Sequence, residues 1–436
     1  MFTGVHIVQL TPGAGKMYCG ACFRDNALVA SLRKMGHEVT MLPLYLPLTL
    51  DETDETQGAP IFYSGINVYL EQMSPVFRFS PNWFRKLFAS RKILDLAAGN
   101  AASTQPAGVG ELTISMLKGE NGNQARELEE LIDWLKRERP DIVSLSNALL
   151  VGMARKIKEE LNVPVICSLQ GEDIFLNALP DGVRERAWQT TAERAADVDL
   201  FIAPSQYFAN FMRERLRLPA EKLRVIYNGI NLDGYAEQQS KAQPTTLGFF
   251  ARMCREKGLH TLIDVYIELQ RRRTIPNLRL KIGGSCGPTD QKVVDEQKRK
   301  LRDAGLENTV EFHPNLSRQQ KLEFLNSLTL FCVPAMYGEA FGLYILESLA
   351  AGVPVIQPRH AAFPELIEAT GGGALYDSTK PQALADAIES LALSPQKARE
   401  LGQAGKRVVF DRFNVNNMAK EFADVCTSFA LVNRKS

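Results

Sequence analysis

Short apolar segments alternate with segments of helical periodicity along almost the whole chain, and this alternation limits what the chain can fold into. Such a pattern is typical of parallel β-sheets that are covered by helices on both faces. The predicted strands cover residues 5–10, 38–42, 141–145, 165–169, 199–203 and 223–227 in the first half, and residues 247–250, 278–282, 310–312, 328–333 and 353–356 in the second. The sequence therefore predicts an α/β protein with two doubly wound parallel sheets.

A polar run at residues 236–245 interrupts this series and predicts a linker between two domains. We expect a first domain at residues 1–235 and a second at residues 236–412, since 436 residues are too many for one typical core. A last helix within residues 413–436 has no strand after it, and we expect it to pack back on the first domain. Open parallel sheets bind ligands beyond the carboxyl ends of their strands, so the two sheets are expected to face each other across a ligand-binding cleft.

Charge and cysteine content limit the possible partners and the compartment. The 51 basic and 50 acidic residues leave a net charge of +1, which excludes a chain-wide attraction for nucleic acid. The chain opens on a predicted strand rather than a signal peptide, and its 7 cysteines are irregularly spaced. No apolar run reaches the roughly 18 residues that span a bilayer. We therefore expect a cytoplasmic protein with free thiols that is soluble or peripheral at the inner face of the membrane.

The segment at residues 82–94 leaves two interpretations open. Its apolar side chains fall on one helical stripe, and four cations lie among them: Trp83, Phe84, Leu87, Phe88 and Leu94, with Arg85, Lys86, Arg91 and Lys92. An interfacial helix on an anionic membrane has this pattern. A helix that packs on the core and exposes a basic face has it too.

Two glutamates frame a predicted helix at residues 341–351. Glu339 lies just before its N-terminus, and Glu347 lies nearly two turns on with a similar azimuth, so one ligand could contact both. The backbone N–H groups at the helix start belong to Ala340, Phe341 and Gly342. Such a helix start suits a phosphate or a cluster of sugar hydroxyls. The alternative is an ordinary helix with an acidic first turn and one solvated glutamate.

Two further loops of the second half follow predicted strands. Arg252 and Lys257 come after the strand at 247–250, where two cations can neutralise a diphosphate. Gly283 and Gly284 end the next strand and allow a ligand to approach the backbone closely. An ordinary basic loop and an ordinary glycine turn are the alternatives.

The first strand leads into a glycine loop that contains Gly13, Ala14 and Gly15. This is not a nucleotide-binding Walker loop, because Leu10 stands where that motif needs its first glycine and Met17 where it needs a hydroxyl.

A Cys-x-x-Cys motif, Cys19 to Cys22, follows the glycine loop. We expect these cysteines to pack the loop, with a redox or metal role as the alternative. The polar pair Asp25 and Asn26 comes next and could contact an acceptor or a phosphate, or could lie on a surface helix.

These motifs occur in one order along the chain: residues 227–231, Arg252 with Lys257, Gly283 with Gly284, the Glu339 and Glu347 pair, and residues 363–365. In that order the chain resembles the retaining nucleotide-sugar glycosyltransferases of glycosyltransferase family 4. The resemblance covers nearly the whole chain and is densest from Val225 to Glu365. It implies the GT-B fold, which has two Rossmann-like domains.

The resemblance also implies roles for single residues. Arg252 and Lys257 would bind the donor diphosphate, Glu347 the ribose, and Glu339 with the backbone after it the sugar. Catalysis would rest on Glu339, Arg252 and Lys257, and the base would be read around His313. The opposite wall would hold Gly13, Ala14, Gly15, Asp25, Asn26, Gln170, Asp173 and Asn228. One position departs from the family: Gln170 stands where many relatives have histidine, and a glutamine cannot take a proton near neutral pH.

The expected reaction is transfer of a hexosyl group, with retention, from a nucleoside-diphosphate sugar to a hydroxyl acceptor. A uridine-diphosphate sugar is favoured, and the acceptor is a sugar, a glycan or a lipid-linked sugar. No cofactor beyond the sugar nucleotide and no metal are expected, since two cations balance the diphosphate. Three alternatives remain open: a sugar-nucleotide epimerase, a phosphorylase and a non-catalytic scaffold that binds the nucleotide sugar.

Overall fold

A computed structural model describes residues 4–13, 19–63, 106–235 and 244–433. Within these ranges, twelve strands form two sheets: β1 His6–Thr11, β2 Glu38–Pro43, β3 Ile142–Leu145, β4 Val165–Ser168, β5 Leu200–Ala203, β6 Leu223–Val225, β7 Thr246–Phe250, β8 Arg279–Gly284, β9 Val310–Pro314, β10 Leu330–Cys332, β11 Val355–Pro358 and β12 Gly373–Tyr376.

The helices lie between and after these strands. They are α1 Gly20–Lys34, α2 Pro106–Leu117, α3 Ala125–Glu138, α4 Ala154–Leu161, α5 Glu172–Asn177, α6 Asp181–Ala195, α7 Gln206–Leu216, α8 Leu259–Arg272, α9 Gln291–Asp303, α10 Arg318–Asn326, α11 Leu343–Ala350, α12 Phe363–Thr370, α13 Ala383–Ala392, α14 Pro395–Arg412 and α15 Val415–Asn433.

The first sheet has the order β2-β1-β3-β4-β5-β6, and all of its pairings are parallel. Every residue of β3, β4 and β5 is buried. Strands that helices cover on both faces need such continuous apolar runs. The strand order reverses between β1 and β3, so the loops after these two strands lie side by side.

The second sheet has the order β12-β11-β10-β7-β8-β9 and is also parallel throughout. Its order reverses between β7 and β10. The two parallel sheets confirm the predicted Rossmann-like architecture. One strand was missed, because β12 begins with a glycine, is half-buried over three of its four residues and lies at a sheet edge.

The chain forms two compact units, one of residues 1–227 with 415–436 and one of residues 228–414. The boundary therefore differs from the expected positions at 235 and 412. Residues 228–235 hold to the second unit, since the Ile230 N–H donates to the Phe413 carbonyl at 3.0 Å. The Arg318 guanidinium also donates to the carbonyls of Asn231 at 3.2 Å and Asp233 at 2.8 Å.

The last helix, α15, packs against α1 and belongs to the first unit. Its buried side chains Met418, Phe422 and Cys426 share one apolar cluster with Leu28 and Leu32 of α1. The Arg24 guanidinium lies 6.0 Å from the centre of the Phe422 ring. The helix thus covers one face of the first sheet.

Several sequence predictions fall outside the described residues. They concern the helix at residues 82–94, the loop residues Ala14 and Gly15, and residues 236–243 of the linker. Within the part that the structure describes, none of the helices has the length and apolar content needed to cross a bilayer.

Replacing Phe422 with alanine is expected to destabilise the first unit by about 3–5 kcal/mol, because the fully buried ring would leave a cavity. Leu431→Ala on the same helix is the control, since Leu431 is 52% exposed and should cost less than about 0.5 kcal/mol. Urea denaturation measures both. Equal stability of the two variants would show that α15 does not pack as described.

Candidate functional site

The reversal of strand order in the second sheet brings two charged loops together. Arg252 and Lys257 lie in the loop after β7, and Glu339 lies in the loop after β10. The Lys257 Nζ is 2.5 Å from Glu339 Oε2, although the two residues are 82 positions apart in sequence. Parallel sheets bind ligands at this kind of position, beyond the carboxyl ends of strands where the order reverses.

Two tyrosines hold the Lys257 and Glu339 pair in place. Glu339 Oε2 accepts hydrogen bonds from the Tyr344 hydroxyl at 3.0 Å and the Tyr337 hydroxyl at 3.3 Å. The Lys257 Nζ lies 4.8 Å and 5.3 Å from the centres of the Tyr337 and Tyr344 rings. Burial, together with the charge of Glu339, raises the pKa of Tyr344, so its hydroxyl stays a donor. Sequence reasoning missed both tyrosines, because an aromatic beside a motif is usually part of the core.

Arg252 lies on the same loop and has a different partner. Its side chain is 51% exposed, whereas that of Asp290 is 6% exposed. The Nε is 3.0 Å from both carboxylate oxygens of Asp290, and Nη2 is 2.9 Å from Oδ1. Asp290 was also missed, since its only sequence signal is an aspartate at the start of a helix.

Gly283 and Gly284 end β8 beside this loop. Gly284 has a φ of +123°, and a Cβ there would overlap the Ala251 carbonyl oxygen. The Met253 N–H donates to the Ser285 carbonyl at 2.8 Å. The loops after β7 and β8 are therefore held together by their backbones, and only glycine fits at position 284.

Glu347 lies on α11 and pairs with a cation of its own. Its Oε1 is 2.9 Å from the Nζ of Lys321, and both side chains are largely buried. Glu339 and Glu347 are thus each bound to a separate lysine, and the prediction that one ligand contacts both stays a prediction.

The helix α11 is also shorter than expected. It begins at Leu343 rather than at residue 341, because Gly342 has a left-handed φ of +93°. Ala340 and Phe341 therefore precede the helix, and both are buried.

His313 lies in β9, in the segment that the sequence analysis predicts to contact the base of the nucleotide. Its ring is 5.5 Å from the Phe324 ring, and Nε2 is 3.2 Å from a carboxylate oxygen of Glu311. The His313 side chain is half-exposed. Its ring packs on Phe324 and its Nε2 contacts Glu311, and both partners belong to the second unit.

In the first unit, polar side chains converge on Asp25 beyond the carboxyl ends of β1 and β3. The carboxylate is fully buried and accepts hydrogen bonds from Gln9 at 3.3 Å, Thr11 at 3.0 Å, Ser146 at 2.5 Å, Gln170 at 3.1 Å and Arg24 at 3.0 Å. A carboxylate with five donors is a fixed internal anchor. All of these observed contacts of Asp25 are internal, and its predicted contact with an acceptor or a phosphate stays a prediction.

Asn26 also makes internal hydrogen bonds, and its predicted contact with an acceptor or a phosphate stays a prediction. Its amide nitrogen donates to the Thr53 carbonyl at 2.8 Å, and its amide oxygen accepts from the Glu55 N–H at 2.9 Å. Both polar atoms are used to fasten the segment after β2.

Gln170 directs the nitrogen of its side-chain amide toward the buried Asp25 carboxylate. Its Nε2 donates to Asp25 at 3.1 Å and to the Ser146 carbonyl at 3.1 Å. Both partners can only accept, so the amide orientation is fixed and Oε1 lies on the opposite side. The side chain therefore offers an acceptor where a histidine would offer a ring nitrogen.

Glu172 ties the loops after β3 and β4 together. Its carboxylate accepts from the Ala148 N–H at 2.7 Å and the Gln170 N–H at 3.0 Å. Burial raises the pKa of this carboxyl to about 7, although the backbone donors oppose the shift. Asp173 follows and is also buried.

Of the remaining predicted residues, the structure describes Gly13 and Asn228. A Cβ at Gly13 would overlap the Leu46 carbonyl oxygen, so the loop after β1 lies against that backbone. Asn228 is buried at the start of the second unit.

Cys19 and Cys22 are both free thiols. A hydrogen bond between these thiols lowers the pKa of Cys19 and raises that of Cys22. Among the described residues, no group of three or more histidines, cysteines, aspartates or glutamates is placed to hold a metal ion.

Two family models match consecutive parts of the chain. Residues 107–233 match the model of Glycosyltransferase Family 4, and residues 235–408 match that of Glycosyl transferases group 1. The lipopolysaccharide 1,2-N-acetylglucosaminetransferase of Salmonella typhimurium is 25% identical over 236 residues, which is 51% of this chain and 60% of that protein. The chain thus spans little more than half of the length of the curated relatives that it matches.

Solved structures share the fold over nearly the whole chain. The sucrose-phosphate synthase of Thermosynechococcus elongatus superposes with a TM-score of 0.71 at 17% identity and covers 98% of this chain and 100% of its own. The Anabaena protein HepE in complex with UDP-glucose has a TM-score of 0.66 at 18% identity and covers 97% and 100%. The chain therefore has the GT-B fold, and two consecutive parts of it match glycosyltransferase family models.

Proposed function

We propose that this protein transfers a hexosyl group from a nucleoside-diphosphate sugar to a hydroxyl acceptor, and that the second unit binds the donor. The observation that carries this proposal is the cluster of Arg252, Lys257 and Glu339 at the reversal of strand order between β7 and β10. It supplies two cations and one carboxylate to a single ligand position.

In this proposal Arg252 and Lys257 bind the diphosphate and stabilise the charge that develops as the sugar leaves. Lys257 is held over two aromatic rings and Arg252 is held by Asp290, so neither cation needs to be ordered during the reaction. Fixed charges of this kind lower a barrier most when they face the developing charge. A diphosphate that enters competes with Glu339 for Lys257 and releases that carboxylate toward the sugar hydroxyls.

The nucleoside contacts follow from the neighbouring elements of the second unit. Glu347 accepts hydrogen bonds from the ribose hydroxyls, while the Nζ of Lys321, 2.9 Å from its Oε1, holds the carboxylate in place. His313 and the residues after it contact the base. We favour a uridine donor, a choice supported by the UDP-glucose that the Anabaena relative of this fold binds.

We assign the acceptor contacts to the first unit. Gln170 presents its Oε1 as an acceptor, since Asp25 and Ser146 fix the other end of the amide. Gly13 and Asp173 lie on the neighbouring loops. The acceptor is a sugar, a glycan or a lipid-linked sugar, which is supported by the relative that acts on lipopolysaccharide.

The transfer proceeds with retention and without a divalent metal. The two cations already balance the diphosphate, and the departing phosphate oxygen takes the proton of the acceptor hydroxyl on the same face. Incubation with donor alone separates the alternatives. A transferase hydrolyses the donor slowly, an epimerase converts it, a phosphorylase needs phosphate and a scaffold only binds.

Lys257→Ala is expected to lower kcat for sugar transfer by about 100- to 1000-fold, the usual cost of one preorganised charge contact. Arg255→Ala is the matched control, because Arg255 lies on the same loop, is 56% exposed and pairs with Glu296 instead. Steady-state transfer and thermal unfolding are measured for both. Wild-type turnover in a folded Lys257→Ala variant would contradict the role of this lysine.

Glu347→Gln is expected to weaken binding of the free nucleoside diphosphate by about 1.5–3 kcal/mol, or about 10- to 150-fold. Ribose contacts are made equally in the ground and transition states, so kcat should change far less. Calorimetry measures the affinity, with Glu323→Gln on the exposed side of α10 as the control. An unchanged affinity would show that Glu347 does not bind the nucleotide and only pairs with Lys321.

Nucleoside diphosphates are expected to stabilise the protein unequally, with the uridine form giving the largest rise in melting temperature. A ligand at 100 times its dissociation constant adds about 2.7 kcal/mol, which a thermal shift assay detects readily. Equal shifts with adenosine, guanosine and uridine diphosphates would contradict base selectivity. No shift with any of them would contradict the proposed function.

A further inference from the structure

A buried carboxylate lies beside the proposed diphosphate position, where its charge opposes the expected ligand. Asp290 is 6% exposed, at the start of α9, while the Arg252 guanidinium that it binds is 51% exposed. A lone acid there would repel a diphosphate, and burying it costs several kcal/mol unless it is paired and hydrogen-bonded. A buried acid at this position therefore calls for an explanation, and its pairing with Arg252 suggests one.

The contact holds one edge of the guanidinium. Both Asp290 oxygens lie 3.0 Å from Nε, and Oδ1 lies 2.9 Å from Nη2. The Thr289 hydroxyl lies 3.4 Å from the same Nη2. Within the described residues Nη1 makes no hydrogen bond to a protein atom. A carboxylate on the Nε edge fixes the plane of the group and leaves the Nη1 edge for a second anion.

Asp290 is itself held by the backbone. Its Oδ2 accepts from the Gly287 N–H at 3.1 Å. The segment before it is joined to Asn315 by two hydrogen bonds at Cys286, of 2.9 Å and 3.1 Å, and to the Arg252 loop by the bond from Met253 to Ser285. The carboxylate is thus fixed to the loop that carries the arginine.

We propose that Asp290 is a positioning residue that orients Arg252 toward the diphosphate of the donor. This inference rests on the proposed function. A free arginine on the surface loses side-chain entropy when it binds, whereas one held by a carboxylate has lost part of it already. The stabilisation by Arg252 is largest in the transition state, because negative charge then develops on the leaving diphosphate in front of a guanidinium that is already aligned.

Asp290→Asn tests the proposal with little change of shape, since asparagine can still accept from Gly287. We expect kcat to fall by about 10- to 100-fold, the scale of a small misplacement at a reacting centre, while the donor KM changes less. The same substitution in an Arg252→Ala background should have no further effect on kcat. Asp290→Glu should restore part of the loss.

The matched control is Glu296→Gln, because Glu296 also lies on α9 and pairs with Arg255, at 2.5 Å, on the same loop. It should leave transfer unchanged. Thermal unfolding of each variant separates orientation from folding. If the wild type transfers sugar but Asp290→Asn equals it, the inference fails alone. If Asp290→Asn lowers kcat as much without Arg252 as with it, the role is merely structural and the inference is overturned. If the wild type shows no turnover, the proposed function fails and this inference fails with it.

Discussion

The pairing of β7 with β10 places two loops side by side that are far apart in sequence, and the candidate donor site depends on it. One loop carries Lys257 and the other carries Glu339, and their side chains meet at 2.5 Å. Where the strand order reverses, the chain leaves the two adjacent strands toward opposite faces of the sheet, and the crevice between the two loops is where such sheets bind ligands. The strand order thus determines where the candidate site lies, and the residues of the two loops determine which ligand it can bind.

Three cations of the second unit are each paired with a carboxylate, so a ligand that binds these cations must compete with the carboxylates or share the cations with them. Lys257 pairs with Glu339, Arg252 with Asp290 and Lys321 with Glu347. The pairs keep cations ordered in a partly buried region where an unpaired charge would be costly. A diphosphate brings additional negative charge, so in our account it shares the cations that the carboxylates now hold. The most exposed of the three cations, Arg252, is the one whose partner is most deeply buried.

Much of the fold could be predicted from sequence, because strand periodicity is a local signal, whereas the donor residues that the motif order indicates stay a prediction. Strand β12 was missed, since a short half-buried edge strand lacks that periodicity. Asp290 could not be recognised, because its partner lies 38 positions away and only folding brings the two together. Asp25 was expected at a ligand surface, but five converging donors fix it in the interior. Burial of polar groups depends on tertiary contacts that no spacing rule reveals.

A crystal structure of the protein with bound uridine diphosphate tests the central claim most directly. Our account predicts both phosphates at the carboxyl ends of β7 and β10, within hydrogen-bond distance of Arg252 and Lys257. The Lys257 Nζ would then have moved from Glu339 toward the β-phosphate, while Asp290 kept its contact with Arg252. A nucleotide bound elsewhere, with the 2.5 Å contact between Lys257 and Glu339 intact, would contradict the account.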